Sequence, residues 1–147
     1  MKEENIYGWT GRVLRIDLTS GHCDTLRPKN RLYHQFIGGK GMGGYYLRPS
    51  ATLNTDHPDM LFSIFTGPLT GTTAPTSGRC HMVSRSPLTG LVGDASVGGK
   101  LGTRLKRAGW DGVVITGKAA SPAGIVIDNG RVEFTDAKAL WGMDTDQ

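Results

Sequence analysis

The stretch FIGGKGMGGYYL, residues 36–47, carries Gly39-x-Gly41-x-x-Gly44, the spacing of a dinucleotide-binding fingerprint. That fingerprint works only after a strand, before a long helix, and with an acidic residue about 20 positions further on to hold a ribose. Here the preceding segment, NRLYHQFIGG (30–39), reads as a helix instead. Leu32 and Phe36, and less cleanly Tyr33 and Ile37, share one face, with Asn30 in position to cap it. Pro49 follows shortly after Gly44 and leaves almost no room for a helix behind the glycines. Asp56 and Asp59 lie at tolerable distances but on a Pro-containing loop, TDHPD. Two of the three requirements fail, so a doubly wound nucleotide fold is not expected.

Strand and turn signals dominate the rest of the chain. RVLRIDL (12–18) and HCDTL (22–26) flank the turn TSG, and GIVID (124–128) and RVEF (131–134) flank Asn129-Gly130. Asn-Gly favours a two-residue type I′ hairpin because both residues need positive φ. MLFSIF (60–65) and VVIT (113–116) read as buried strands, and HMVSRS (81–86) as a half-exposed one. A second helix is expected over VGGKLGTRLKRAGW (97–110), with Leu101, Leu105 and Ala108 on one face and Gly109 as its stop. Hairpins plus isolated helices point to an α+β fold rather than a regular βαβ alternation.

With 147 residues the chain has room for one domain with a single core, taken as residues 1–147. Hydrophobic residues make up 37% and charged residues 20%, as suits a water-soluble globular chain. No apolar run is long enough to cross a bilayer, and the N-terminus lacks the apolar core of a secretory signal. The expected compartment is therefore the cytoplasm. Cys23 and Cys80 stand far apart without a C-x-x-C, and His22, His34, His57 and His81 are scattered. Buried or surface thiols are expected rather than a disulfide or a metal site. The net charge of +4 favours anionic partners. Nucleic acid is not expected, since the aromatics are not interleaved with Lys and Arg along a strand face.

Three stretches are unusual enough to carry chemistry. TGPLTGTTAPTSGR (66–79) is a rigid loop rich in hydroxyls and exposed amides that ends on Arg79. The arginine either offers planar donors to a phosphate, carboxylate or heteroaromatic ring, or pairs with a surface carboxylate. SRSPLTG (84–90) repeats the tetrapeptide of 68–71, which turn chemistry explains without any function. GDASVGGKLGTRLKR (93–107) resembles an anion site at the start of a basic helix, with Ser96 or its neighbours as donors. It lacks a P-loop's Gly-Lys-Ser/Thr, and Ser96 could equally be an N-cap and Gly98-Gly99 a packing point. No nucleophile–base pair or metal triad can be assembled from these residues. Catalysis, if any, belongs to a bound cofactor or to further chain.

YGWTGRVLRIDLTSG, FIGGKGMGGYYL, FTGPLTGTTAPTSGR, SRSPLTG, GWDGVVITGKA and ALWGMDT follow one another along nearly the whole chain. In this order they resemble the N-terminal domain of the aldehyde ferredoxin oxidoreductase family. The resemblance implies β-sheets that form a base under a tungsten or molybdenum bis-pterin cofactor with a bridging magnesium ion, alongside a four-iron four-sulfur (4Fe-4S) cluster. It implies oxidation of aldehydes to carboxylic acids, with electrons passed through the cluster to ferredoxin. Arg79 matches the arginine placed between pterin and cluster, where a guanidinium stabilises the negative charge of both. Ser96 and Gly98 match positions that help hold the pterin phosphates and the magnesium. Many members of the family carry Asn at the Ser96 position, and a serine reaches less far, so a backbone carbonyl contact is the role that survives. Gly38–Gly44 becomes scaffold beside the cofactor, and the abundance of glycine, 22 residues, is expected to let a flat cofactor approach the backbone. Family members are several times longer, so the chain reads as a truncated domain with no catalytic residue of its own. The cluster cysteines would then come from further chain or a cysteine-bearing partner subunit, and self-association into a homo-oligomer would cover the apolar surface left bare. The alternative is a non-catalytic β-rich module that binds a phosphate-bearing ligand or a partner chain.

Overall fold

Val13, Leu14 and Ile16 are all buried to within 2% exposure, so the first strand, β1 (Val13–Asp17), is covered on both faces. The computed structural model describes residues 6–144. β1 continues through a tight turn into β2 (His22–Leu26), with Val13 opposite Leu26 and Asp17 opposite His22. The other strands are β3 (Phe62–Thr66), β4 (Cys80–Arg85), β5 (Val92–Val97) and β6 (Gly112–Thr116). They complete a six-stranded sheet in the order β2-β1-β6-β3-β4-β5. Only β1 and β6 run parallel; the other neighbours are antiparallel. A separate hairpin, β7 (Ala123–Asp128) and β8 (Arg131–Asp136), turns at Asn129 and Gly130. Both turn residues have positive φ, 44° and 84°, as an Asn-Gly type I′ turn requires.

Each face of the sheet has its own core. Helices α1 (Asn30–Phe36) and α2 (Gly39–Leu47) cover one face, where Val13, Tyr33, Met42, Phe65 and Val114 meet. Helix α3 (Leu101–Arg107) and the β7–β8 hairpin cover the other, with Leu14, Ile16, Leu105, Trp110 and Val113 at its centre and Ile125, Ile127 and Val132 packed against it. The period of two along β1 and β6 divides the apolar residues between these cores. The architecture is α+β, with mixed sheets and short helices.

The glycine stretch differs from its sequence reading. It forms α2 itself, and Pro49 sits just past the helix end in a 3₁₀ turn, Arg48–Ser50. The preceding helix stops at Phe36, with Ile37 at φ 63° making the corner, and Asn30 is its first residue rather than its cap. Glycine is a poor helix former, about 1 kcal/mol worse than alanine per residue. Here packing overrides that cost. A Cβ on Gly43 would lie 2.5 Å from Val83 Cγ2 and 3.3 Å from Ser63 Oγ, and one on Gly38 would collide with the Thr66 carbonyl. Gly38 and Gly43 let the protein's own elements approach one another. The basic helix also differs: Val97 belongs to β5, and α3 starts only at Leu101, behind Lys100.

Candidate functional site

Arg79 closes the loop that leads from β3 to β4, and local hydrogen bonds hold that loop. The Gly67 amide donates to Thr70 Oγ1 at 3.1 Å, and that hydroxyl donates to the Arg79 carbonyl at 3.2 Å. Thr70 is 3% exposed, so both bonds form away from water. Thr72 Oγ1 donates to the Leu69 carbonyl and Ser77 Oγ to the Ala74 carbonyl, which tightens the turns between. Behind the loop, α3 packs so closely that a Cβ on Gly102 would lie 2.8 Å from the Gly78 carbonyl oxygen.

The loop is anchored deeper by Lys106 and Asp111. Lys106 Nζ donates to Asp111 Oδ1 at 2.6 Å and to the Gly67 carbonyl at 3.2 Å. The Asp111 carboxylate, 2% exposed, also accepts from the Thr10 and Gly11 amides and from Tyr33 Oη at 3.0 Å. Its main-chain carbonyl takes the Thr66 amide and hydroxyl. Burial, and next the Asp111 charge, push the Tyr33 phenol well above its ordinary value, so it remains a donor. A run of hydrogen bonds thus joins Asp111, Lys106, Gly67, Thr70 and the Arg79 main chain. Sequence reasoning singled out none of Asp111, Lys106 or Thr70. The available signal was an acid between Trp110 and the apolar run of β6, a place where a charge must find partners.

The Arg79 side chain reaches across to β5. Its Nη1 donates to Ser96 Oγ at 3.1 Å and to the Ser96 carbonyl at 3.4 Å. Among the described residues no carboxylate lies within ion-pairing distance of Arg79. The plainer reading, in which it pairs with a surface acid, finds no partner among the described residues. Ser96 is not a helix cap. It lies in β5 opposite His81, because pairing with β4 claims the segment through Val97. The anion site expected at the start of the basic helix is therefore a strand end, with Gly98 and Gly99 as a link to α3. A Cβ on Gly98 or Gly99 would meet nothing within 4 Å. Arg79, Ser96 and Gly98 thus stand together at one end of the β4–β5 pair.

Beside them a groove of about 580 Å³ runs between the Phe36–Gly41 corner and the Gly67–Arg79 loop, with His81 among its lining residues. His81 Nδ1 is buried without a hydrogen-bond partner. Asp94, the acid on this part of β5, is paired with Lys40 of α2 at 2.6 Å. The region therefore presents the Arg79 guanidinium without a carboxylate partner among the described residues and open backbone at Gly98, which together suit an anionic, hydrogen-bonding ligand. Among the described residues no three of His, Cys, Asp and Glu stand close enough to hold a metal ion. Cys80, the first residue of β4, is buried, and burial raises its thiol pKa.

The fold is an α+β domain that carries Arg79, Ser96 and Gly98 at one end of its β4–β5 pair. Residues 13–147 match the family model described as aldehyde ferredoxin oxidoreductase, N-terminal domain, and the chain belongs to that family. It is 38% identical over 139 residues to the tungsten-containing aldehyde ferredoxin oxidoreductase of Pyrococcus abyssi, a match covering 93% of this chain and 23% of that protein. The Thermococcus kodakarensis protein of the same name is 39% identical over the same shares. An aliphatic sulfonate oxidoreductase, WOR-like subunit, of Pyrococcus furiosus is 35% identical over 94% of this chain and 23% of its own length. Among solved structures, the active site complex BamBC of benzoyl coenzyme A reductase, in complex with 1,5 dienoyl-CoA, superposes with a TM-score of 0.85. Identity there is 31%, over 92% of this chain and 21% of the other. The chain thus spans about a quarter of the length of the curated relatives it matches.

Proposed function

We propose that this chain forms the seat on which a tungsten or molybdenum bis-pterin cofactor rests, as one part of an oxidoreductase. The observation that carries the reading is Arg79. Its guanidinium is fixed by Ser96, has no carboxylate partner among the described residues, and stands beside open backbone at Gly98. Such a group holds phosphate oxygens or ring acceptors in a defined plane, which a lysine would not do. Ser96 Oγ and its carbonyl orient the arginine. That carbonyl also offers a hard oxygen of the kind a bridging magnesium takes. When bound, the cofactor supplies two-electron redox chemistry at its metal, and the protein supplies positioning and charge.

The residues of this chain bind and orient; none of them moves a substrate proton. In a complete enzyme of this kind the cofactor would supply the oxidation of an aldehyde to a carboxylic acid, and Arg79 would stabilise the negative charge of a 4Fe-4S cluster through which electrons would pass to ferredoxin. The cluster's cysteines would come from further chain or a partner subunit, because Cys23 and Cys80 lie in different strands of the sheet. Such a soluble enzyme would work in the cytoplasm. A copy of this chain on its own would also bury its bare apolar surface in a homo-oligomer.

Elemental analysis of the purified chain for tungsten, molybdenum, iron and phosphorus tests the reading directly. Metal and pterin phosphorus in stoichiometric amount, reduced at least tenfold by Arg79→Ala at unchanged thermal stability, are the expected result (about 1.4 kcal/mol or more of lost binding). Retention unchanged in Arg79→Ala would remove the arginine from the site. Complete absence of metal and phosphorus, also when the chain is produced together with the rest of a relative's length, would favour the non-catalytic module.

A further inference from the structure

At the other end of α2 from Gly39–Gly41 lies a second groove, of about 630 Å³, which the oxidoreductase reading does not use. Leu26, Pro28, Leu32, Tyr45 and Tyr46 supply its apolar lining. Arg27, Lys29 and Arg31 stand along it, all exposed, and no acidic residue lines it. Among the described residues none of these cations takes part in an ion pair. An apolar floor with a charged rim of one sign is the anatomy of a protein interface. A small phosphate would need buried, convergent donors, whereas these cations are spread from the β2–α1 loop into the first turn of α1 on exposed side chains.

Nucleic acid fits less well, because both tyrosine rings already pack against other aromatic rings. Tyr46 stacks on Phe65 at 5.3 Å and 17°. Tyr45 lies against Phe36 at 5.0 Å and meets Tyr46 edge-on at 90°. A base-stacking platform needs open faces. Here Leu26, Pro28 and Leu32 line the groove beside the two tyrosines, which suits an inserted apolar side chain. We propose that this groove is a docking surface for an acidic segment of a partner protein, which seats an apolar side chain on Leu26, Leu32 and Tyr45 and its carboxylates on Arg27, Lys29 and Arg31.

The test titrates the full 147-residue chain into a fluorescein-labelled peptide of alternating glutamate and phenylalanine, followed by anisotropy. The controls are the same peptide with lysine for glutamate, one with serine for phenylalanine, and a labelled oligothymidine. Saturable binding of the Glu/Phe peptide is expected, weakened by salt and by loss of the phenylalanines. The double variant Arg27→Glu/Arg31→Glu should weaken it about tenfold, from two lost surface pairings. Tyr45→Ala should weaken it at unchanged salt dependence. Both variants change exposed side chains, and an unaltered circular dichroism spectrum shows that they fold. No saturable binding, or binding indifferent to both variants, overturns the proposal. So does tighter binding of oligothymidine lost in the double variant, which would assign the groove to nucleic acid. The Arg79→Ala chain should bind the peptide like wild type, so failure here and failure at the cofactor seat are separable.

Discussion

Asp111 holds more of this structure together than any residue of the proposed site. Its carboxylate gathers the Thr10 and Gly11 amides, the Tyr33 hydroxyl and the Lys106 ammonium, all in an almost dry interior. Lys106→Met removes the ammonium and leaves a buried charge without its counter-ion. A loss of about 3–5 kcal/mol is expected, read as a lower urea midpoint. A loss below about 1 kcal/mol would show that the amides and the phenol suffice. Thr70→Val should cost less, about 1–2 kcal/mol, yet displace Arg79 and reduce ligand retention, which Thr70→Ser should restore. Tyr33 carries a pH signature. Its phenol, ordinarily at 10.0, is held well above that by burial and by Asp111, and burial pushes Tyr46 up to about 12. The folded state keeps protons that the unfolded chain releases, so this stability is complete below about pH 10 and is lost as pH rises beyond it. Urea midpoints should therefore fall steadily between about pH 10 and 12, less steeply in Tyr33→Phe. A midpoint that stays level through that window would refute the assignment.

Among the elements, α2 shows how glycine can make a helix necessary rather than improbable. Adjacent positions should respond with opposite signs. Gly43 faces β4, and its missing Cβ would stand 2.5 Å from Val83 Cγ2; Gly43→Ala should cost about 1–3 kcal/mol, since helix or strand must move. Gly44 is exposed, and its Cβ would meet nothing within 4 Å; Gly44→Ala should stabilise by about 0.5–1 kcal/mol through helix propensity. Paired thermal unfolding curves decide this, and a shift of the same sign in both variants would mean that packing does not govern the helix. The sequence pattern missed α2 because a dinucleotide-like spacing and a helix–sheet packing seam use the same residue for different reasons. It also extended α3 back to Val97, since nothing local tells a strand end with Gly98-Gly99 from a helix start. Only the register of Cys80 against Val97 and His81 against Ser96 assigns that segment.

At the scale of the molecule, bare apolar side chains stand at several places, among them the run Leu88, Leu91 and Val92 and a second run late in the chain. Leu140 is 69% exposed, Trp141 78% and Met143 48%, and Val126 on the β7–β8 hairpin is 46% exposed. Patches of that kind on a folded domain mark contacts with other protein. The weight-average mass in sedimentation equilibrium should rise with concentration, and Trp141→Glu should hold the chain closer to monomer. A monomeric wild-type chain at high concentration would count against self-association by this surface.

Local chemistry sufficed for the two hairpins, the buried strands β3 and β6, and the α+β class. Turn residues and apolar runs act within a few positions of one another, and Asn129-Gly130 needs no distant partner to turn. The motifs from Tyr7 to about Thr145 carried the family likeness, although Thr145 lies outside the residues the structure describes. Tertiary structure alone decided the rest. The parallel pairing of β1 with β6 sets β1 inside the sheet, where α1 and α2 cover one face and α3 with the β7–β8 hairpin the other. The helix made of glycines exists because Val83 and Ser63 stand opposite it. The setting of Arg79 depends on Thr70, Lys106, Asp111 and Ser96, residues that meet only when the sheet is assembled. Their hydrogen bonds span up to 101 positions in sequence, and no local pattern records a partner that far away.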